Sequence, residues 1–382
     1  MRAEAEHVIV GGGAIGLALA YELSRRGRGV LVLERDRPGG GATAAAGGML
    51  APVSEAGGDP PELIELGCDS LRRFPGFVAD LEQVAGIDCG YRDEGTLWVA
   101  LDRDDRAELR HLAETLTQKG LDVREIGGEE LRRSEPHLSP RAVGGLVVPG
   151  DHQVDPRSLS RCLTRAVDRL GGELAVGAAV QRVEVCDDRV VAVHGVDEAG
   201  RQFRVATGRV VVAAGAWSER EIELPVERLG LRAVKGQLLR LRGPRLLTHV
   251  VRTPQIYLVP HADGELLVGG TVEEAGFDVA PTAGAVMDLL RRGWEVLPAI
   301  YDCEVLELSV GLRPALESQL PAIGATEVEG LYLAFGHFRH GILLAPATAH
   351  YLVQWLTEGR EPQELRSFAP QRARRRCRAE SG

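Results

Sequence analysis

Three glycines and one carboxylate near the amino terminus have the spacing of a dinucleotide-binding turn. Gly11, Gly13 and Gly16 form GxGxxG between the apolar run HVIV and the run LALAYELSRRG, and Glu34 closes the next apolar run, VLVLE, 18 residues beyond Gly16. In such a turn Gly11 permits the tight bend, Gly13 lets the main chain approach a pyrophosphate, and Gly16 lets helix and strand pack closely. The helix amino terminus then offers free N–H groups and a partial positive charge to the phosphates. Glu34 stands where a carboxylate accepts hydrogen bonds from ribose hydroxyls. The turn alone serves NAD and FAD equally. The segment behind it, ERDRPGGGATAAAGGML, places many small residues where they can lie against a long, flat ligand. An NAD enzyme would also need an acid or base beside the hydride, and no such constellation stands out.

The elements that must position this turn follow from local patterning. The opening reads strand, Gly-rich turn, helix, strand, and the small residues from Gly39 to Gly48 are too flexible for regular structure without a ligand. Short strands (TLWVAL, GGLVVP) flank a helix from Asp104 to Lys119, and Asp155 to Leu170 is a helix opened by an Asp-Pro pair. The runs AVQRVEV, RVVAVHGV and QFRVA predict an antiparallel meander, and RVVVAAGAWS a buried parallel strand ending in a turn. Residues 227 to 314 are strand-rich with one helix near Thr282 to Val296, and LYLAFGHFRHGILLAPATAHYLVQWL reads strand, turn, helix. The expected fold class is therefore α/β: a Rossmann-like FAD- or NAD-type domain with an inserted, mainly antiparallel β-sheet substrate domain. The expected nucleotide domain is discontinuous (1–88, 150–222 and 321–370), the substrate domain spans 89–149 and 223–320, and 371–382 forms a disordered basic tail. No internal repeat is visible.

Composition excludes several functions. At 382 residues the chain is long enough for two domains, and its formal net charge of −10 argues against nucleic acid as a partner. Basic residues do cluster at Arg372, Arg374, Arg375, Arg376 and Arg378, which reads as a frayed end. Only Lys119 and Lys235 are lysines among the 45 basic residues, so an arginine carries weight only through its setting. Six scattered cysteines without CxxC spacing read as reduced thiols rather than disulfides or a zinc site, and no metal is expected. No secretory signal is apparent, and no run of about 18 or more apolar residues exists to cross a membrane. The expected location is the cytoplasm.

Taken together, VIVGGGAIG with Glu34, GATAAAGGMLAP with Glu55, VVVAAGAWS, VKGQ, YLVP, LLVGGTVEEAGFD, GLRP and GHFRHGILLAPAT resemble, in order and over nearly the whole chain, the D-amino acid oxidase family of flavoproteins. Within it they are most similar to the glycine oxidases of thiamine biosynthesis. The resemblance implies a non-covalent FAD, a small amino acid substrate, oxygen as acceptor and a homotetramer. It leaves open whether the imine is released or handed to a thiazole synthase. By position, Ala14, Ile15, Glu34, Arg35, Ala42, Thr43, Gly47, Gly48, Met49, Val180 and Gly215 would touch FAD. The loop His337, Phe338, Arg339, His340, Gly341, Ile342, Leu343 would hold the flavin ring. Met49, Ala51, Gln255, Tyr257, Val272 and Arg313 would line the substrate pocket. Departures from the family pattern are His340 in place of Asn, ALESQLP where an Asp usually precedes the proline, and Ala51, Gln255 and Val272 on the pocket wall. The cysteine of covalent sarcosine oxidases is absent from the GLRP segment.

Oxidising an amino acid needs an anchored carboxylate and a neutral amine whose α-carbon faces the flavin. A planar guanidinium matches a carboxylate bidentately, and Arg313 is the candidate, with Tyr257 as a second donor. Arg339 could contact substrate or brace the ring. No general base is required, so His337 and His340 are read as orienting the backbone. The helix starting near Gly341 would direct its positive end at the flavin. Two rival readings stay open. One is a dehydrogenase of the same fold that feeds a membrane quinone, although no exposed apolar or basic amphipathic segment is apparent. The other is a flavoprotein of tRNA modification.

Overall fold

The computed structural model describes residues 2–372. A six-stranded sheet runs Ala322–Ala325, Leu331–Phe335, Val210–Val212, His7–Val10, Val30–Glu34, Glu173–Val176. Its first pair is antiparallel and all others are parallel. The central strands are apolar without alternation and every residue of His7–Val10 is buried, as in a sheet covered on both faces. Helices Ala14–Arg25, Pro61–Ala85, Pro156–Arg169 and Gly341–Glu358 pack on one face in a single apolar cluster. The three-stranded antiparallel sheet Ala179–Cys186, Arg189–Val196, Gln202–Ala206 covers the other. These last three strands are the meander expected from their alternation.

The eight-stranded sheet runs Glu304–Ala315, Arg232–Arg242, Glu265–Gly269, Tyr257–Pro260, Val250–Arg252, Thr96–Ala100, Gly144–Val148, Arg124–Gly127. All its pairings are antiparallel except Val250–Arg252 with Thr96–Ala100. Strands from both inserted segments are thus hydrogen-bonded into one sheet.

Three expected helices carry the caps their sequences offer. Asp102 accepts from Asp104 N and Asp105 N ahead of Arg103–Gln118, Asp155 accepts from Arg157 N ahead of Pro156–Arg169, and Thr282 accepts from Ala285 N ahead of Ala283–Val296. Helix Pro61–Ala85 opens with proline at its first turn and stops at Gly86, whose φ of 67° suits glycine. From it, the Ser70 hydroxyl donates to Leu343 O (2.6 Å) and accepts from Ala347 N (3.2 Å). It thus bridges two main-chain groups of Gly341–Glu358 beside Pro346, which cannot donate.

Two expectations need correction. The small-residue stretch Gly39–Gly48 contains one helical turn, Gly41–Ala44, against the expectation of no regular structure without a ligand. Its packing on strand Glu304–Ala315 explains this: a Cβ at Gly311 would lie 2.7 Å from Ala45 Cβ, so the glycine admits the turn. Gln371 and Arg372 continue a last helical turn, with Gln371 Nε2 donating to Ala325 O. The remainder of the expected basic tail lies outside the described residues. No described helix is long and apolar enough to cross a membrane.

Candidate active site

A single cavity of about 720 Å³ runs from the glycine turn to the eight-stranded sheet. At one end the main chain does the shaping. Gly11 has φ of 106°, and a Cβ there would lie 2.6 Å from Ala213 O. A Cβ on Gly16 would meet Gly11 O at 1.9 Å. Gly16 therefore holds helix against turn and, unlike the other expected contacts, does not line the cavity. Gly13 differs from both: its added Cβ would meet only Thr43 Oγ1 at 3.4 Å, so the space above it belongs to the cavity. Glu34 is locked by Gly12 N (2.6 Å) and Asp36 N (2.8 Å), and Thr43 Oγ1 accepts from Ala14 N at 3.0 Å. Arg35 lies over the Trp217 ring at 5.1 Å. Ala14, Ile15, Ala42, Gly47, Gly48, Met49, Val180 and Gly215 all line the same space.

At the other end side chains do the work, and glycines on neighbouring strands make room for them. Arg313 and Tyr257 share the cavity wall. A Cβ on Gly236 would collide with Arg313 Nη1 at 2.3 Å, and Cβ atoms on Gly269 and Gly270 would meet the Tyr257 ring and hydroxyl at 2.5 and 2.8 Å. Arg313 Nη1 donates to Thr271 O at 3.0 Å, which fixes the guanidinium. Burial pushes the Tyr257 hydroxyl above its ordinary value against the pull of Arg313 and Arg252, so it stays a protonated donor at neutral pH. Ala51, Gln255 and Val272 complete the wall, the last two exposed at its rim.

The turn between Leu331–Phe335 and Gly341–Glu358 closes the cavity between these ends. Phe338 adopts φ of 48°, uncommon for a bulky residue, and Arg339 lies over its ring at 4.9 Å. His337 is buried, bonds Thr348 Oγ1 at 3.2 Å, and is held neutral by burial, its pKa lowered to about 3. Helix Gly341–Glu358 starts without a side-chain cap and without an acidic residue in its first turn, and Gly341, Ile342 and Leu343 line the cavity. Its amino-terminal N–H groups are thereby left for a ligand.

Arg252 and Asp59, which the motifs did not single out, stand beside Glu55 and His340. Arg252 lines the wall and donates to Glu55 Oε1 at 3.1 Å. His340 Nδ1 stands 3.5 Å from Glu55 Oε2, and Nε2 stands 3.0 Å from Asp59 Oδ2. Glu55, Asp59 and His340 each bring one ligand atom within 4.8 Å of the others. The two carboxylates face opposite nitrogens of one imidazole. Arginine in an arginine-rich chain gave no local signal for Arg252; only its strand pairing reveals it.

The residues fit FAD. The glycine cradle, the locked Glu34 and an uncapped helix end lie along one continuous cavity, with Arg313 and Tyr257 at its far end. The comparisons agree. A glycine oxidase of Geobacillus kaustophilus is 34% identical over 358 residues, 92% of this chain and 93% of that protein. The bifunctional protein ThiO/ThiG of Trichormus variabilis is 34% identical over 376 residues, 94% of this chain and 54% of that protein, so the chain spans about half that relative's length. The hydrogen cyanide synthase subunit HcnC of Pseudomonas aeruginosa is 32% identical over 399 residues, 94% of each chain. The solved glycine oxidase from Geobacillus kaustophilus superposes with a TM-score of 0.87 at 31% identity, covering 96% of this chain and 98% of that one. The family model described as DAO, FAD dependent oxidoreductase, matches residues 6–355. The chain belongs to this family of FAD-dependent oxidoreductases.

Proposed function

We propose that the protein oxidises glycine, and also sarcosine and small D-amino acids, with non-covalently bound FAD, passing the electrons to oxygen to give hydrogen peroxide and an imine. The observation that carries this reading is the pairing of Arg313 with Tyr257 on one wall, in spaces cleared by Gly236, Gly269 and Gly270. Arg313 would grip the substrate carboxylate with two parallel N–H groups, and the Tyr257 hydroxyl would donate a third bond. When bound, the flavin supplies the hydride acceptor. No side chain need take a proton if the amine enters neutral, and neutral, buried His337 is consistent with a purely structural role. The free amino end of Gly341–Glu358 would hold the electron-rich edge of the ring. In this reading the six-stranded sheet with its helices (1–88, 150–222, 321–370) is the FAD domain and the eight-stranded sheet (89–149, 223–320) the substrate domain. Supply of the imine to a thiazole-forming partner is an extension prompted by the ThiO/ThiG relatives.

By the family resemblance, Met49, Ala51, Tyr257 and Val272, all of which line the cavity, would surround the α-carbon and leave room for a hydrogen or a methyl group. The test is peroxide release under air with a substrate panel. Glycine and sarcosine should be oxidised, D-alanine more weakly, D-phenylalanine hardly, and L-amino acids rejected because their side chain would point at the ring. A D-phenylalanine or L-amino acid efficiency above that of glycine would sink the glycine reading.

One observation favours a second reading, electron delivery to a quinone. Met287 (71% exposed) and Trp294 (50%) lie on helix Ala283–Val296, with Tyr301 (83%) just beyond. The structure thus presents the exposed apolar residues that the sequence did not reveal, because the pattern interleaves them with Asp288 and Arg291. Turnover with a soluble quinone under nitrogen, faster than with oxygen under air, would select this reading.

A further inference from the structure

The eight-stranded sheet carries a second guanidinium into the site. Arg252 pairs in register with Tyr257 on one neighbouring strand and with Trp98 on the other. Directly opposed residues project from the same face, about 5 Å apart at Cβ. Trp98, Arg252 and Tyr257 therefore form one row, closed by Gly269, whose lack of a side chain opens the space above Tyr257.

This arginine is held rather than loosely placed. Its guanidinium lies over the Trp98 ring at 4.7 Å, and Trp98 Nε1 donates to Ser54 Oγ at 2.9 Å. Buried Asp151 accepts from Val53 N and Ser54 N, pinning the segment that carries Glu55. Glu55 is divided: one oxygen faces Arg252 Nη1 and the other His340 Nδ1. The carboxylate thus occupies a single Arg252 donor, and Arg252 Nε is buried without an acceptor. The charged side chains lining this end of the cavity are Arg252, Arg313, Arg339 and Glu55. Along this lining the guanidiniums outnumber the carboxylate, which favours an anionic ligand.

We propose that Arg252 is a second anion anchor and that the site takes amino acids bearing a second carboxylate, on an N-carboxymethyl arm or on a D side chain. The inference rests on Arg313 as the anchor of the α-carboxylate. Arg252 would bind the distal carboxylate through donors that Glu55 leaves free, and Trp98 would hold the guanidinium plane toward the cavity.

The FAD-loaded enzyme should be assayed with iminodiacetate and sarcosine as one matched pair, and with D-aspartate and D-alanine as the other. At least one diacid should exceed its monoacid partner tenfold or more in kcat/KM, and the pair that does so locates the arm. Arg252→Met keeps an apolar chain on Trp98, and it should lower that ratio at least tenfold. Arg252→Met/Glu55→Gln serves if the single variant fails to fold with Glu55 unpaired. A ratio equal in wild type and variant overturns the proposal. Malonate and acetate, titrated against the flavin spectrum, separate this failure from failure of the oxidase reading. Malonate binding at least tenfold tighter than acetate, and lost with Arg252, supports the anchor even in a protein inert toward amino acids. Equal affinities for the two anions overturn it.

Discussion

The two ends of the cavity are built on opposite principles. Around Gly11 and Gly13 the cavity is shaped by the main chain, and glycine matters there for what it lets the backbone do. Around Arg313 and Tyr257 the cavity-facing groups are long side chains from separate strands, and glycine matters for the volume it vacates: Gly236 for Arg313, Gly269 and Gly270 for Tyr257. A glycine substitution should therefore have different consequences at the two ends. It should remove the cofactor at the first and misplace a substrate anchor at the second.

The largest expected effect tests the first end. Gly13→Val should fold, since its Cβ would make only an ordinary contact with Thr43 Oγ1, and should lose FAD because the side chain would occupy the pyrophosphate path. Gly16→Val should not reach a folded state at all, given the 1.9 Å approach to Gly11 O. Circular dichroism with flavin absorbance distinguishes the two, and a yellow, folded Gly13→Val protein would mean the turn has been misread.

Arg313→Ala should keep its flavin and lose turnover. Removing a charge-assisted contact in a closed site costs about 2–5 kcal/mol, roughly thirtyfold to several thousandfold in kcat/KM. Arg313→Lys should recover only part of this, because an ammonium cannot reproduce the fork. An alanine variant with near wild-type kinetics would transfer the anchor to Arg339.

Gly236→Ala sharpens the comparison most directly, since it adds one methyl group and deletes nothing. That methyl would sit 2.3 Å from Arg313 Nη1, so the guanidinium must move while the sheet survives. Misplacement on the scale of 1 Å can cost about a hundredfold in rate. Wild-type kcat/KM in Gly236→Ala would show that the position of Arg313 is not critical. Tyr257→Phe should cost less, roughly tenfold to a hundredfold, as expected for one hydrogen bond to a charged group.

The smallest effect on turnover near neutral pH concerns His337, whose role shows instead in stability against pH. Its pKa falls from 6.5 in the unfolded chain to about 3 when folded. Between these values the unfolded state holds the extra proton, so its contribution is complete above pH 6.5 and stability declines toward pH 3. The slope is about 1.4 kcal/mol per pH unit. Asp151, pushed up to about 6 by burial, works in the opposite sense over part of that window. It is common to both proteins, so the difference between wild type and His337→Gln in Tm against pH isolates the histidine. Parallel curves from pH 4 to 7 would contradict the assignment.

How much of this was legible beforehand follows from the same contrast. GxGxxG with Glu34 could be read because the turn, helix and acid are local, and the helix caps at Asp155 and Thr282 are likewise set by nearest neighbours. The segment 61–85 gave no comparable signal. Its proline starts and glycine stop are visible, but Pro75 interrupts the pattern, and it is packing on Gly341–Glu358 that secures the helix.

By itself, then, the sequence determined the nucleotide-type turn, the alternation of α/β and antiparallel segments, and the family resemblance that singled out Arg313 and Tyr257. Each depends on residues close along the chain or on motifs kept in order. Tertiary structure alone decided that Gly236 clears space for Arg313, that Arg252 faces Tyr257 across two strands, and that Glu55 is shared between Arg252 and His340. Pairing register between strands, and the descent of Glu55 onto them, join residues as far apart as 55 and 252. Charge and volume complementarity at that separation exist only after the chain has folded.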